Sequence, residues 1–317
     1  VLLRSISRLI PMPGSMAYFL TLLSVGPLLG SFITEPAAMT LTALLLRDRY
    51  FCGKAPSKFQ SATIGVLLLN VPIGGTFTPY AAPPVLMVAE RWNFDLPFML
   101  QTFGWKAALA VSINAIGATF LFRHHLRALP APPAEDSTLE TPPWVAGVHV
   151  AFLAAVVVFN HHPIVFLALF MFFLGFAEAY KRYQAPLILR EGLLVAFFLA
   201  GLVVIGGQQK WWLEPLLSNM SPTALFTGAT LLTAVTDNAA LTYLGSLVDG
   251  VSDEFKYSLV AGAVTGGGLT VIANAPNPAG FAILKGSFED GTISAAGLAV
   301  AALVPTLVAA AVFQFLP

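Results

Sequence analysis

A carboxylate sits twice in the middle of a long apolar stretch, inside the same seven-residue pattern. The first copy reads Thr34-Glu35-Pro36-Ala37-Ala38-Met39-Thr40, and the second, 202 positions later, reads Thr236-Asp237-Asn238-Ala239-Ala240-Leu241-Thr242. Each copy is followed by a further matched pair at a constant offset of 193: Gly74-Gly75 with Ala82-Pro83, then Gly267-Gly268 with Ala275-Pro276. Two matched segments in the same order indicate an internal duplication. An acid in lipid-depth sequence is expensive and marks ion or substrate pathways.

Composition sets the environment. The 317 residues are 57% hydrophobic and 10% charged, against about 25% charged in a soluble domain. The chain therefore reads as an all-α polytopic membrane protein with lipid as its main neighbour. Its formal net charge is zero, so no nucleic-acid partner is expected. The single Cys52, in a basic loop, leaves no disulfide framework and no Cys metal site. No hydrolase, kinase or redox motif occurs, so neither enzymatic activity nor a cofactor is expected.

About 20 apolar residues span a bilayer. Clean spans fall at 98–122, 143–159, 164–180, 191–207 and 292–316. The stretches 61–89 and 257–284 are long enough but broken, at Pro72 to Pro84 and at Gly266 to Pro278. Gly and Pro this dense end a helix. Unwound backbone at membrane depth is tolerated only where it lines a cavity or is buried in protein. Segments 17–46 and 222–248 differ from both kinds. Each is two short apolar arms around a polar tip, and neither arm is expected to span alone.

Charge then orients the hairpins. Arg4 and Arg8 precede the first; Arg47, Arg49, Lys54 and Lys58 follow it. Both flanks are basic, hence cytoplasmic. The second is flanked by Lys210 and Glu214, then by Asp249, Asp253, Glu254 and Lys256, which read as external. Five crossings separate the two, so they enter from opposite faces. Twelve of the 16 Lys and Arg then fall inside and three outside (Arg91, Lys210, Lys256), with Lys106 within a span. The duplication is read as an inverted repeat. The first repeat is 1–122 and the second 143–317, joined by a Pro-rich cytoplasmic linker at 123–142. The second repeat has three scaffold spans (143–207) ahead of its hairpin. The first has only about 16 residues there and opens at Val1. The expectation is a first repeat truncated at its N-terminus, or a naturally short variant.

Tips and breaks together supply two kinds of ligand. Side chains come from Thr34, Glu35 and Thr40 in one half and from Thr236, Asp237, Asn238 and Thr242 in the other. Freed backbone comes from Gly74, Gly75, Gly267 and Gly268, with Thr76, Thr78, Thr270, Asn274 and Asn277 beside it. Hard cations take oxygen ligands, and half-helix ends carry partial charges. A carboxylate in a dry cavity holds a proton unless a cation compensates it. One such group can hold a proton or sodium, not both. Competition for it, with alternating access, suffices for exchange; Glu35 and Asp237 are the candidate sodium ligands.

Other features have plainer readings. His124-His125 and His161-His162 sit at span ends, as interfacial residues rather than ligands. Trp92, Trp105, Trp144, Trp211 and Trp212 suit an aromatic belt. Glu178 suits a surface ion pair with Lys181 or Arg182. Lys106 is open between snorkelling and acting as a charge partner to the site.

The run from Gly30 to Thr40, the stretch from Gly266 to Gly280 and the span from Arg190 to Gly207 resemble a bacterial family of sodium/proton antiporters. That family belongs to the ion transporter superfamily of dicarboxylate, citrate and arsenite carriers. The resemblance covers nearly the whole chain. It implies re-entrant hairpins, broken helices, homodimerisation through the first spans of each half, and an elevator-like motion of the hairpin domain. It also implies the bacterial inner membrane. In the dicarboxylate symporters the tips resemble neutral Ser-Asn-Thr; Glu35 and Asp237 depart from that and favour a cation as cargo. A sodium-coupled carrier of an organic or inorganic anion is the alternative, and a non-transporting scaffold is a third reading.

Overall fold

The computed structural model describes residues 2–51, 55–130, 142–159, 162–184, 187, 189–217, 219–288 and 291–316. Cys52, Lys54, His161 and most of the linker lie outside the described residues. Among the described residues every regular element is helical. Packing divides the chain into two units, Val1–Pro132 with Phe198–Pro317, and Pro133–Phe197. Both acid motifs and both Gly/Pro breaks fall in the first unit.

That unit opens with α1 (Leu2–Leu9), α2 (Gly14–Ile33) and α3 (Glu35–Tyr50). α2 and α3 lie along each other with Thr34 at the bend. α2 has 20 residues and is apolar enough to cross a membrane, which corrects the expectation that neither arm has that reach. Gly30-Ser31 does not end the arm, because the Ser31 hydroxyl finds its partner outside the helix, on the Gly74 carbonyl at 2.7 Å.

α4 (Ser57–Gly74) passes through a 3-10 turn, Gly75–Phe77, and the chain resumes as α5 (Pro83–Trp92). α6 (Leu96–Met99), a π turn and α7 (Trp105–Leu121) make one apolar run of 26 residues. α8 (Arg123–Ala128) follows. In the second unit, α9 (Pro143–Val158) and α10 (Pro163–Ala179) have 16 and 17 residues. Both are shorter than the roughly 20 of a full span. Trp144 stacks edge-on against Tyr180 between them, 5.0 Å centre to centre. α11 (Leu189–Gly206) and α12 (Lys210–Leu217) form another long apolar run.

The last helices are α13 (Pro222–Thr233), α14 (Asn238–Ser246), α15 (Asp253–Gly266), α16 (Asn277–Leu284) and α17 (Ala295–Phe315). Ser221, Ser252 and Ser294 cap α13, α15 and α17 by accepting backbone N–H groups, as a cap position favours. The helices before, between and after the two breaks thus follow one another in the same order: α2, α3, α4, α5 and α7, then α13, α14, α15, α16 and α17. The packing is reciprocal: α3 lies against α16, and α14 against α5. In each case the helix that follows one acid touches the helix that follows the other Gly/Pro break.

Charged side chains tie one end of this unit together. Arg91 at the end of α5 pairs with Asp249 at 2.8 Å, and Lys210 pairs with the same carboxylate. Lys210 and Arg91 hold the Asp249 carboxyl below the usual carboxylate range. Trp105, Trp144, Trp211 and Trp212 are exposed, but Trp92 is buried against Phe94. Trp92 is therefore a core residue and leaves the aromatic belt.

Candidate functional site

The first tip is strained. Thr34 joins α2 to α3 at φ 82° and ψ 149°, a region that costs a residue with a side chain about 1–3 kcal/mol. Glu35 follows as the first residue of α3, and Pro36 fits a first turn whose N–H groups need no helical partner. The Glu35 side chain is completely buried. Its Oε2 accepts from Asn274 Nδ2 at 2.9 Å, while Oε1 has no hydrogen-bond partner. Asn274 lies in the second Gly/Pro break, 239 positions away in the chain.

The second tip is built differently. Asp237 caps α14, its Oδ1 accepting from the N–H groups of Ala239 (2.8 Å) and Ala240 (3.2 Å). It is half-buried. Asn238 is fully buried; its backbone N–H donates to the Ala273 carbonyl at 3.1 Å, and both its side-chain polar atoms lack partners. Matching acids therefore sit unlike each other. Glu35 turns inward with one bare oxygen, whereas Asp237 spends an oxygen on its own helix. Both lie at the positive end of a helix.

The backbone groups freed at the breaks are satisfied by neighbouring side chains, as buried polar groups require. At the first, the Ser31 hydroxyl accepts from Phe77 N–H at 2.9 Å, and the Thr78 hydroxyl donates to the Ser31 carbonyl at 2.6 Å. At the second, Asn277 Nδ2 donates to the carbonyls of Gly267 (2.8 Å) and Thr270 (2.9 Å). The Thr270 hydroxyl donates to the Ala234 carbonyl at 2.8 Å.

Several buried oxygens remain bare: Glu35 Oε1, the Oδ1 atoms of Asn238, Asn274 and Asn277, and the hydroxyls of Thr233 and Thr265. Buried polar atoms are nearly always paired, and neutral and anionic oxygens of this kind suit a hard cation. Among the described residues no three His, Cys, Asp or Glu side chains converge. A cation would therefore rest on an acid plus amide, hydroxyl and carbonyl oxygens.

The four motif glycines divide by role. A Cβ on Gly75 would stand 2.5 Å from Glu35 Oε1, and one on Gly267 would stand 3.1 Å from Asn238 Nδ2. These two face the acid and the amide. Gly74 and Gly268 serve close packing instead, against the Pro27 backbone (2.7 Å) and Leu69 Cα (2.4 Å).

The remaining candidate threonines make no hydrogen bond to either acid. The Thr76, Thr236 and Thr242 hydroxyls donate to the carbonyls of Ile73, Leu232 and Asn238 on their own turns. Thr40 lies half-buried on α3 and joins none of these bonds. Lys106 pairs with neither acid; its ammonium donates to the Tyr257 hydroxyl at 2.9 Å and the Leu316 carbonyl at 3.0 Å.

Residues outside the sequence-derived set also matter. Ser31 and Thr233 stand 202 apart, the offset of the acid motif itself, so the repeat carried their signal. Asn70 is buried in α4, donates to the Leu23 carbonyl at 2.8 Å and accepts from Asn114 of α7 at 3.0 Å. An amide inside an apolar span was the visible cue.

Thr34→Gly should stabilise the protein by about 1 kcal/mol. Relief of roughly 1–3 kcal/mol of strain exceeds the roughly 0.5–1 kcal/mol entropic cost of glycine. Thermal melting in detergent checks this; a lower melting temperature would refute the strain.

No curated protein matches the chain significantly. The sequence model of the family described as "Putative Na+/H+ antiporter" matches residues 1–316. With a match over essentially its full length, the chain belongs to that antiporter family.

Proposed function

We propose that the protein is a secondary transporter exchanging sodium for protons across the bacterial inner membrane, with Glu35 as the exchange group. The observation that carries this is the bare, fully buried Oε1 of Glu35, facing Gly75 while Asn274 holds Oε2. A buried carboxylate without compensation is costly, so the group holds either a proton or a cation. Asn274 and the neighbouring bare amide oxygens complete the cage for sodium. Asp237, less buried and tied to its helix end, adds the second negative charge that draws the cation in.

On this reading the two halves are inverted repeats whose tips approach from opposite faces. The reciprocal contacts of α3 with α16 and α14 with α5 support it. Alternating exposure of Glu35 would couple the two fluxes, in a multi-pass homodimer.

One proteoliposome preparation should be scanned with sodium, lithium, potassium and carboxylates. A sodium or lithium gradient should drive protons the opposite way, with no response to citrate or dicarboxylates. Sodium-driven carboxylate uptake without proton counterflow would reject the exchanger in favour of an anion carrier.

A further inference from the structure

One end of the first unit carries a cavity of about 570 Å³. Lys106 forms part of its wall and is only 6% exposed. Two of its N–H donors go to Tyr257 and Leu316, which leaves a third. Its ammonium lies 4.6 Å from the Tyr257 ring centre. Among the described residues no carboxylate pairs with it. A buried ammonium is stabilised by a nearby anion, and a bound phosphate would supply one. Gln101, Thr102, Ser258 and Gln314 add neutral polar groups to the same cavity.

The mouth has the opposite charge. Asp253 and Glu254 open α15 there. Asp253 pairs with Lys256 at 2.7 Å, and Glu254 stands exposed. Phe98 and Phe313 give an apolar wall, and the exposed Trp105 neighbours Lys106 in the chain. Tryptophan at such a position favours the membrane–water boundary. A cation within, an acid at the mouth and an aromatic wall complement a group with phosphate at one point and an amine at another. We propose that this cavity binds a phosphoethanolamine group, supplied as the headgroup of a phospholipid, with the phosphate on Lys106 and the amine at Glu254. A headgroup held there would brace α7, α15 and α17, and α15 leads directly into the second break.

Binding of a short-chain fluorescent phosphatidylethanolamine to the purified full chain tests this. Saturable binding is expected, weakened at least tenfold in Lys106→Met and unchanged in the exposed control Lys181→Met. Glu254→Gln, at the exposed mouth and so able to fold, should shift preference from ethanolamine toward glycerol headgroups. Equal binding by Lys106→Met, or equal wild-type affinity for phosphatidylglycerol, would overturn the proposal. Competition by free glycerophosphoethanolamine as strong as by the lipid would overturn the lipid source.

Discussion

Glu35→Gln abolishes sodium-coupled proton movement on this account, while the fold survives. Glutamine keeps the shape of the side chain, and its carbonyl oxygen can still accept from Asn274 Nδ2. It is the neutral isostere of the protonated acid at a fully buried position, so stability should hold. Exchange in proteoliposomes should fall at least ~100-fold, because a neutral amide neither releases a proton nor compensates sodium. Asp237→Asn separates charge from capping at the other tip. Asparagine caps a helix as well as aspartate does, so α14 should remain intact. Exchange should persist with roughly tenfold more sodium needed, about 1.4 kcal/mol of lost attraction. Asp237→Ala should cost about 1 kcal/mol more through the lost cap. Equal exchange by Glu35→Gln and wild type would remove Glu35 from the mechanism.

The second large effect separates two glycines of the same motif. In Gly75→Ala the new methyl would stand 2.5 Å from Glu35 Oε1 and 2.9 Å from its Cγ. The acid must move off Asn274, so exchange should be lost while melting changes little. In Gly268→Ala the methyl would stand 2.4 Å from Leu69 Cα and 2.6 Å from its nitrogen. Backbone cannot yield as a side chain can, so α4 and the second break must part. About 3 kcal/mol of stability should be lost, the upper part of the usual overpacking range. Paired melting and transport assays check both. A stable, active Gly75→Ala would contradict the contact between Gly75 and the acid.

The helix interruptions were legible because Gly and Pro punctuate a chain locally. α4 stops at Gly74 and α15 at Gly266, where those residues cluster. The reach of α2 was not legible. Gly30-Ser31 reads as an end until Ser31 is seen bonded to a carbonyl 43 positions away, a partner no local pattern announces. The difference between the acids was not legible in the repeat. An aspartate side chain is short enough to reach its own helix N–H groups, and Asp237 does so. A glutamate followed by proline has one N–H fewer nearby and a longer reach, and Glu35 spends that reach on Asn274 in the other half. The crossing itself depends on how the halves fold together, which the repeat offset does not encode.

The central claim is that sodium and a proton compete for Glu35. Calorimetry of sodium binding to the purified protein, repeated in buffers of different ionisation enthalpy, counts the protons released. Close to one proton per sodium is expected for the wild type, and none for Glu35→Gln. Sodium binding to the wild type without proton release, or undiminished release from Glu35→Gln, would contradict the claim.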